Sequence, residues 1–169
     1  EVLYPDEDMV TLTSSDLEDL KQMAALNTRK RIRLCTHRHP IQSLHEMFIV
    51  HTKDCYVRPH KHLGKVESIS VLEGEADLVF FQDDGSICRI IEMGPPESGK
   101  KFYNRLDKPT YHTLLVRTDF LVFHEITEGP LVRKMTIFPE WAPIEGDLEI
   151  NEFVVGLNSS TRKFKGGLI

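Results

Sequence analysis

The chain has 169 residues, of which 40% are hydrophobic and 28% are charged, a balance typical of one globular domain with a substantial core. Its net charge of −5 argues against a broad basic face, so we expect no nucleic-acid partner. Three cysteines without a C-x-x-C pair favour a reducing compartment, and no apolar run approaches the ~20 residues needed to cross a bilayer. We therefore expect a cytoplasmic protein with no membrane partner.

The first predicted element is a helix over Ser15–Leu26. Ser15 and Glu18 have the spacing of a capping box, and apolar residues then recur at near-helical intervals. The basic run that follows, from Arg29 to Arg33, is interpreted as a solvated helix end, where cations interact favourably with the helix dipole, and a binding patch is the alternative.

The rest of the chain is predicted to form short strands. The clearest pair is a hairpin of Ala76–Gln82 and Ser86–Met93, because the turn between them ends in Gly85, which accepts a positive φ at no steric cost. Further strands are predicted over Glu46–Thr52, Val66–Leu72, Lys101–Asn104, His112–Val116, Phe120–Thr127 and Val132–Ile137. Such a series indicates a sandwich or barrel. The polar tail from Asn158 is expected to be mobile unless a partner strand holds it.

One stretch, Tyr56 to His62, carries the clearest chemical signal. His60 and His62 lie two residues apart, so in a strand their side chains share a face. Glu67 can join them from the next strand, and His112 lies in another strand-like stretch that can close the site. Imidazole and carboxylate ligands together suit a divalent transition metal, which we expect to be Zn²⁺, Fe²⁺, Mn²⁺ or Ni²⁺.

The order of these residues resembles the two motifs of the cupins, whose ligands line one mouth of a small antiparallel barrel. Residue by residue, the resemblance implies the metal ligands His60, His62, Glu67 and His112, while Gly74 fits the turn that ends the first motif. A wider set of segments resembles the WbuC family of cupin metalloproteins. These segments are Tyr56–His62, Leu72–Gly74, Phe81–Gly85, Tyr111–Leu114, Glu128–Pro130 and Trp141–Asp147.

The resemblance implies an all-β fold, the cupin double-stranded β-helix, which is a small antiparallel jelly-roll barrel, here with a short N-terminal helix. We expect this cupin domain over residues 12–147 and a C-terminal extension over residues 148–169. WbuC-like genes are associated with O-antigen and other surface polysaccharide synthesis, so the resemblance implies a small polar substrate such as a sugar or sugar nucleotide. Barrels of this size often pair through sheet edges, and we expect a homodimer.

Four residues are candidates for the chemistry around the metal. Tyr56 and Arg58 share strand parity with the two histidines and are expected to face the same interior, Tyr56 as a catalytic residue. Arg58 either binds a substrate carboxylate or phosphate or forms an internal salt bridge with Glu125. Glu125 is a candidate general acid or base, or a partner of a ligating histidine, unless it faces solvent. The resemblance places His37 at the pocket rim as a substrate-binding residue, although with His39 it also forms a second H-x-H for which a second metal site is the alternative.

The other histidines and cysteines are assigned to structure. His45, His51 and His124 are interpreted as ordinary strand residues, and Cys55 and Cys88 as small core residues.

Three functions are compatible with these residues. The first is a metal-dependent enzyme that isomerises or epimerises a small polar molecule, or performs a related carbonyl step. The second is an Fe²⁺-dependent oxygenase, for which the same ligand set is suitable. The third is a non-catalytic module that binds a small ligand.

Overall fold

The computed structural model describes residues 1–167, which form two helices and eleven strands. The helices are α1 (Ser14–Leu26) and α2 (Ile150–Gly166). The strands are β1 (Val2–Leu3), β2 (Arg31–Cys35), β3 (Leu44–Thr52), β4 (Lys61–His62), β5 (Glu67–Glu73), β6 (Ala76–Phe81), β7 (Ile87–Met93), β8 (Tyr103–Leu106), β9 (Tyr111–Val116), β10 (Phe120–Glu128) and β11 (Thr136–Ile137).

Two facing sheets build the barrel. One has the strand order β1-β2-β3-β10-β5-β8, and the other has the order β7-β6-β9. A backbone bridge between His60 and His112 places β4 beside β9, so the second sheet continues through β4 to β11. From β3 to β10 each strand thus lies in the sheet opposite to that of the strand before it, except that β6 and β7 form a hairpin in the smaller sheet, which is the jelly-roll order. The predicted all-β jelly roll with a short N-terminal helix is confirmed.

The space between the sheets is filled by apolar side chains at one end of the barrel. Every second residue of the facing strands points inward, as the period of a strand requires. The large side chains that are almost completely buried in this core are those of Val71, Met93, Leu121 and Phe123. At the other end the inward positions are occupied by histidines, carboxylates and arginines, and these residues line a cavity.

Helix α1 covers the outer face of the larger sheet. Its buried residues Leu20 and Ala24 pack on Ile32, Val50 and Val122. The capping box lies two residues earlier than predicted, because the N-cap is Thr13 and its partner is Asp16. The sequence contains both spacings, and only the position of the first helical turn distinguishes them.

The interpretation of the basic run as a solvated helix end is wrong. The helix stops at the C-cap Asn27, and Lys30 adopts a left-handed conformation with φ 57° that redirects the chain. Residues 31–35 then form β2, which adds to the edge of the larger sheet beside β3. Ile32 packs toward α1, so Arg31 and Arg33, one residue to either side, have the opposite parity and line the cavity.

Helix α2 packs against the outer face of the smaller sheet. Its residue Leu157 is buried there with Val79 and Tyr111. On the same face Asp77, which is 2% exposed, accepts hydrogen bonds from the guanidinium of Arg117 and from the ammonium group of a lysine near the end of α2. The prediction that the tail from Asn158 is mobile is therefore wrong for the described residues. Residues 168 and 169 lie outside the described part of the chain. Neither helix in residues 1–167 combines the length and apolar character that a membrane crossing requires.

The strand predictions hold for most of the barrel, and the hairpin of β6 and β7 is confirmed. Residues Val132–Ile137 are the exception, because a 3-10 turn occupies Arg133–Met135 and only the last two residues form a strand. Gly74 links β5 to β6 with φ 77°, and a Cβ atom there would lie 2.0 Å from the carbonyl oxygen of Phe120. A glycine is therefore required at this turn for both conformation and space.

Candidate metal centre

His60 and His112 are held opposite each other by the backbone. The amide of His60 donates to the carbonyl of His112 at 3.1 Å, and the amide of His112 donates back at 2.9 Å. This reciprocal pair is an antiparallel bridge, so both side chains leave the backbone on the same face. The two imidazole rings lie with their centroids 4.7 Å apart.

His62 joins them from β4. It lies two residues after His60, and the ring centroids of these two residues are 4.9 Å apart. The ligating atoms of His60, His62 and His112 all lie within 4.8 Å of one another. His60 and His62 share a face as strand alternation predicts, and the distant His112 converges on the same point.

Each ring has a partner on its Nδ1 atom. The Nδ1 of His60 lies 2.8 Å from the carbonyl oxygen of Arg58, and that of His112 lies 2.9 Å from the carbonyl oxygen of Thr110. Because a carbonyl only accepts, both Nδ1 atoms carry hydrogen. The Nδ1 of His62 lies 3.0 Å from the hydroxyl oxygen of Thr136 on β11. In the neutral form, His60 and His112 thus present an Nε2 lone pair to the site, the form in which imidazole binds a metal.

Glu67 completes the group at the start of β5. Its carboxylate lies 2.8 Å from the Nε2 of His112 and 3.3 Å from the Nε2 of His62. The three-imidazole group and this carboxylate form a mixed nitrogen and oxygen set with fixed ring orientations. Such a set fits a divalent transition metal.

The charges inside the site are coupled. Burial lowers the pKa of His60 to about 3, and it also lowers the pKa of His62. Burial alone would lower the pKa of His112, but the hydrogen bond and the charge of Glu67 outweigh it and raise that pKa. Burial opposes ionisation of Glu67, yet its contact with His112 and the other histidines lowers its pKa overall. His112 and Glu67 therefore favour their charged forms as a pair, whereas His60 and His62 favour the neutral form in which an imidazole binds a metal.

A cavity of about 320 Å³ opens beside these residues. This volume lies at the lower end of the range of small-molecule sites. Residues of both sheets line it, including Phe80 and Leu114 of the smaller sheet and Ile49 and Ile69 of the larger one. A small polar molecule in this cavity would contact the three-histidine group and an apolar wall at the same time.

Glu125 faces this cavity from β10. The register places it opposite Met47 on β3 and Ile69 on β5, and both of these belong to the core between the sheets. Burial raises the pKa of Glu125 to about 7, and the nearby Glu67 carboxylate adds to this rise. The solvent-facing alternative for Glu125 is therefore wrong.

Arg58 does not form the predicted salt bridge with Glu125. Its guanidinium donates to the carbonyl oxygens of Pro139 and Ala142, each at 3.2 Å, and lies 4.9 Å from the ring centroid of Phe138. The side chain of Arg58 borders the cavity, but its hydrogen bonds fix the position of the segment that follows β11.

Tyr56 lies outside the cavity, and the prediction that it faces the same interior is wrong. Its hydroxyl donates to the carbonyl oxygen of Pro143 at 2.9 Å, and its ring packs edge-on against Phe153 of α2. Residues 53–59 form no regular strand, so alternation does not extend back from His60. Burial also raises the pKa of Tyr56 to about 12, which is unfavourable for proton transfer near neutral pH.

His37 borders the cavity, as the resemblance implied, whereas His39 is exposed. The ring of His37 stacks on that of His45, with centroids 4.0 Å apart and planes 4° from parallel. Within residues 1–167, the three-histidine group of His60 is the one set of three or more ligand side chains able to hold a metal. The alternative of a second metal site at His37 and His39 has no support in this arrangement.

Sequence reasoning missed several cavity residues. His45 and His51 were interpreted as ordinary strand histidines, but both line the cavity. Arg33 also lines it, and the alternating run Arg31–Cys35 was a signal that this segment is a strand with its arginines on one face. Cys88 is exposed, contrary to its assignment to the core, whereas Cys55 is buried as predicted.

Together, the jelly roll and the histidine group define a cupin-fold protein with a site able to bind a divalent metal. Residues 12–93, just under half of the chain, match a family model described as a domain of unknown function, DUF6016. A comparison with curated proteins gives no match.

Solved structures with a similar fold include two oxalate decarboxylases. That of Lactobacillus farciminis is 15% identical over 57% of this chain and 27% of its own, with a TM-score of 0.45. A variant of the Bacillus subtilis enzyme is 13% identical over 57% of this chain and 24% of its own, with a TM-score of 0.46. A protein from Shewanella oneidensis is 9% identical over 61% of this chain and 66% of its own, with a TM-score of 0.49. The chain thus spans about a quarter of the two decarboxylases, and at such identities a shared fold does not identify a reaction.

Proposed function

We propose that the protein is a metal-dependent enzyme that moves a proton on a small polar substrate, in an isomerisation, an epimerisation or a related carbonyl reaction. One observation carries this proposal. Three imidazoles and the carboxylate of Glu67 converge at a cavity that also contains Glu125, a carboxyl group whose pKa is about 7. Metal ligands and a titratable acid or base are thereby exposed to the same small volume.

His60, His62, His112 and Glu67 would hold the metal. Zn²⁺, Fe²⁺, Mn²⁺ and Ni²⁺ all accept this ligand set, and a four-ligand site leaves a position for substrate when the ion is five- or six-coordinate. When bound, the metal supplies Lewis acidity, which polarises a carbonyl or hydroxyl oxygen of the substrate.

Glu125 would act as the general acid or base. A group with a pKa near the working pH is present in both protonation states and exchanges protons with a substrate most effectively. On adjacent strands, Glu125 lies diagonally across from Glu67, a relation in which backbone positions are roughly 7–8 Å apart. This separation permits a small substrate to contact both the metal ligands and the carboxyl group of Glu125.

The substrate is a small polar molecule such as a sugar or a related acid. The cavity volume of about 320 Å³ corresponds to about ten water molecules at roughly 30 Å³ each. This accommodates one sugar ring, whereas the nucleotide part of a sugar nucleotide would have to lie outside. The six ordered segments that resemble the WbuC family support a place in surface polysaccharide synthesis.

A homodimer and the division of the chain are part of the same proposal. Strand β8 is an edge of the larger sheet. Its first residue, Tyr103, is 48% exposed, and Phe102, just before the strand, is 50% exposed. Pairing through this edge would cover both rings. In this proposal the cupin domain covers residues 12–147 and the C-terminal extension covers residues 148–169, of which α2 packs on the domain.

Metal analysis of protein purified without added metal tests the proposal. We expect about one ion per chain in the natural protein, and loss of that ion in His60→Ala and in His112→Ala. His39→Ala is the matched control, because His39 is exposed and does not belong to the three-histidine group. Equal metal content in all four proteins would rule out the proposed site.

The reaction is tested separately by exchange of substrate C–H hydrogen with deuterated solvent, using metal-loaded natural protein, Glu125→Gln and a panel of sugars and sugar acids. We expect exchange in the natural protein and its loss in Glu125→Gln with metal content unchanged. Consumption of O₂ with Fe²⁺ but not with Zn²⁺ would instead identify the oxygenase. Tight ligand binding without exchange or O₂ consumption would identify the binding module.

A further inference from the structure

Arg33 extends into the cavity from β2. It pairs with Ile49 on β3, whose side chain belongs to the core between the sheets, so Arg33 shares this inward face. Its neighbours Ile32 and Leu34 pack on the opposite side with α1. The cavity that contains the histidine group is therefore also lined by a guanidinium.

The guanidinium of Arg33 forms neither a hydrogen bond nor an ion pair with a side chain of residues 1–167. Its Nε atom is shielded from solvent and makes no hydrogen bond. Its charge acts on Glu125 across the cavity, where it lowers the pKa that burial raises. Arg31, on the same face, differs from Arg33 because its guanidinium forms ion pairs with Glu1 and Glu145. A shielded donor without an acceptor is costly, so an arginine in this state points to an acceptor supplied by a ligand.

A second unpartnered atom lies next to it. The Nδ1 atom of His51 is buried without a hydrogen-bond partner in the described residues. His51 pairs with Arg31 across the two strands, so it lies diagonally from Arg33 on the same inward face. With hydrogen on Nδ1, His51 offers a second donor to a group that already contacts Arg33.

We propose that Arg33 and His51 form an anion subsite that binds one carboxylate of the substrate. This inference rests on the proposed function, because the molecule held there is the one that reaches the histidine group. The anion-binding role predicted for Arg58 is thus assigned to Arg33 and His51, because the donors of Arg58 already bind backbone carbonyl oxygens. The substrate class is thereby narrowed from small polar molecules in general to hydroxy acids and sugar acids.

Charge balance favours a carboxylate over a phosphate. Among the arginines that line the cavity, Arg33 has the buried donor without an acceptor, and two acidic groups, Glu67 and Glu125, line the same cavity. A monocarboxylate carries one negative charge and matches one arginine through two parallel hydrogen bonds. A phosphate monoester carries close to two charges near neutral pH, so these two acids repel it more strongly than they repel a monocarboxylate.

The test compares acids with neutral molecules of similar size, by calorimetric titration at fixed ionic strength. The pairs are glycolate with glycolamide and D-glucuronate with D-glucose, and inorganic phosphate is a further probe. We expect the metal-loaded natural protein to prefer at least one acid over its neutral counterpart by roughly 10- to 100-fold. Arg33→Gln removes this preference and Arg33→Lys keeps part of it. Arg89→Gln, at an exposed position on β7, behaves as the natural protein.

Stability provides an independent readout. Because Arg33 is unpartnered, Arg33→Gln is expected to retain or raise the melting temperature of the ligand-free protein. A marked decrease would mean that Arg33 has a structural partner, and it would overturn the subsite. Absence of any preference for the acids, an unchanged preference in Arg33→Gln, or tighter binding of phosphate than of both acids would overturn it as well.

Failure of this subsite is distinguishable from failure of the metal site. The metal content of Arg33→Gln is expected to equal that of the natural protein. If the protein binds no metal but binds acids in a way that depends on Arg33, the anion subsite is supported and the metal-dependent function is contradicted. If the protein binds metal but Arg33→Gln does not change acid binding, the metal site is supported and the anion subsite is contradicted.

Discussion

The pKa of Glu125 predicts how stability responds to pH. In the folded protein burial raises this pKa from 4.5 to about 7. Below pH 4.5 the carboxyl is protonated in both the folded and the unfolded chain, so it has no effect on unfolding. As the pH rises toward 7, the unfolded chain loses this proton first, and the free energy of unfolding falls. Above pH 7 the carboxyl is ionised in both the folded and the unfolded chain, and the free energy of unfolding stays lower by the full cost of burying the charge.

The size of this cost follows from the displacement of the pKa. Each pH unit is worth about 1.4 kcal/mol, so a rise from 4.5 to about 7 corresponds to about 3 kcal/mol. Glu125→Gln keeps the shape of the side chain and cannot ionise. We therefore expect the variant to gain most of about 3 kcal/mol over the natural protein between pH 5 and pH 8.

Urea unfolding of the metal-free proteins at pH 5 and pH 8 measures this difference. Glu97→Gln is the control, because Glu97 is exposed and its substitution is expected to have the same small effect at both pH values. If the free-energy difference between Glu125→Gln and the natural protein is the same at pH 5 and pH 8, Glu125 does not have the raised pKa on which its proposed role depends.

Three further substitutions test particular contacts. Gly74→Ala forces a side chain against the carbonyl oxygen of Phe120 and is expected to cost roughly 2–4 kcal/mol in urea unfolding, while a loss below 1 kcal/mol would contradict the clash. Asp77→Asn removes the shared partner of two cationic groups and is expected to cost roughly 2–4 kcal/mol. Hydrogen exchange should then quicken more in α2 than in the strands, and uniform exchange would count against this anchor. Thr136→Val removes the acceptor for the Nδ1 of His62 and is expected to weaken metal binding roughly 10-fold in a competition assay, whereas unchanged affinity would exclude a positioning role for Thr136.

The convergence of the histidines could be predicted because it depends on local rules. His60 and His62 share a face through strand alternation alone, and Glu67 begins the next strand of the barrel. The order of the motifs then indicated which distant histidine joins them. The same rule failed for Tyr56, because the residues before His60 form no strand and carry no alternation.

The arginines of the cavity could not be placed as easily. Helix α1 ends at Leu26, shortly before the basic run, and a basic run after a helix has a simple local interpretation in the helix dipole. That interpretation fails because β2 pairs with β3, an element that begins nine residues after β2 ends, and because α1 covers the opposite face. Only this tertiary pairing turns Arg33 toward the interior.

The three rings are oriented by two different means. His60 and His112 each contact the carbonyl oxygen of the residue two positions earlier, so the chain just before each histidine sets the position of its proton. His62 has no such local acceptor and instead contacts Thr136, which is 74 residues away on β11. Two ligands are therefore prepared by their own segments, whereas the third depends on the docking of β11 against β4. A change that loosens β11 should disturb the ring of His62 while the rings of the other two histidines keep their orientation, because neither depends on that contact.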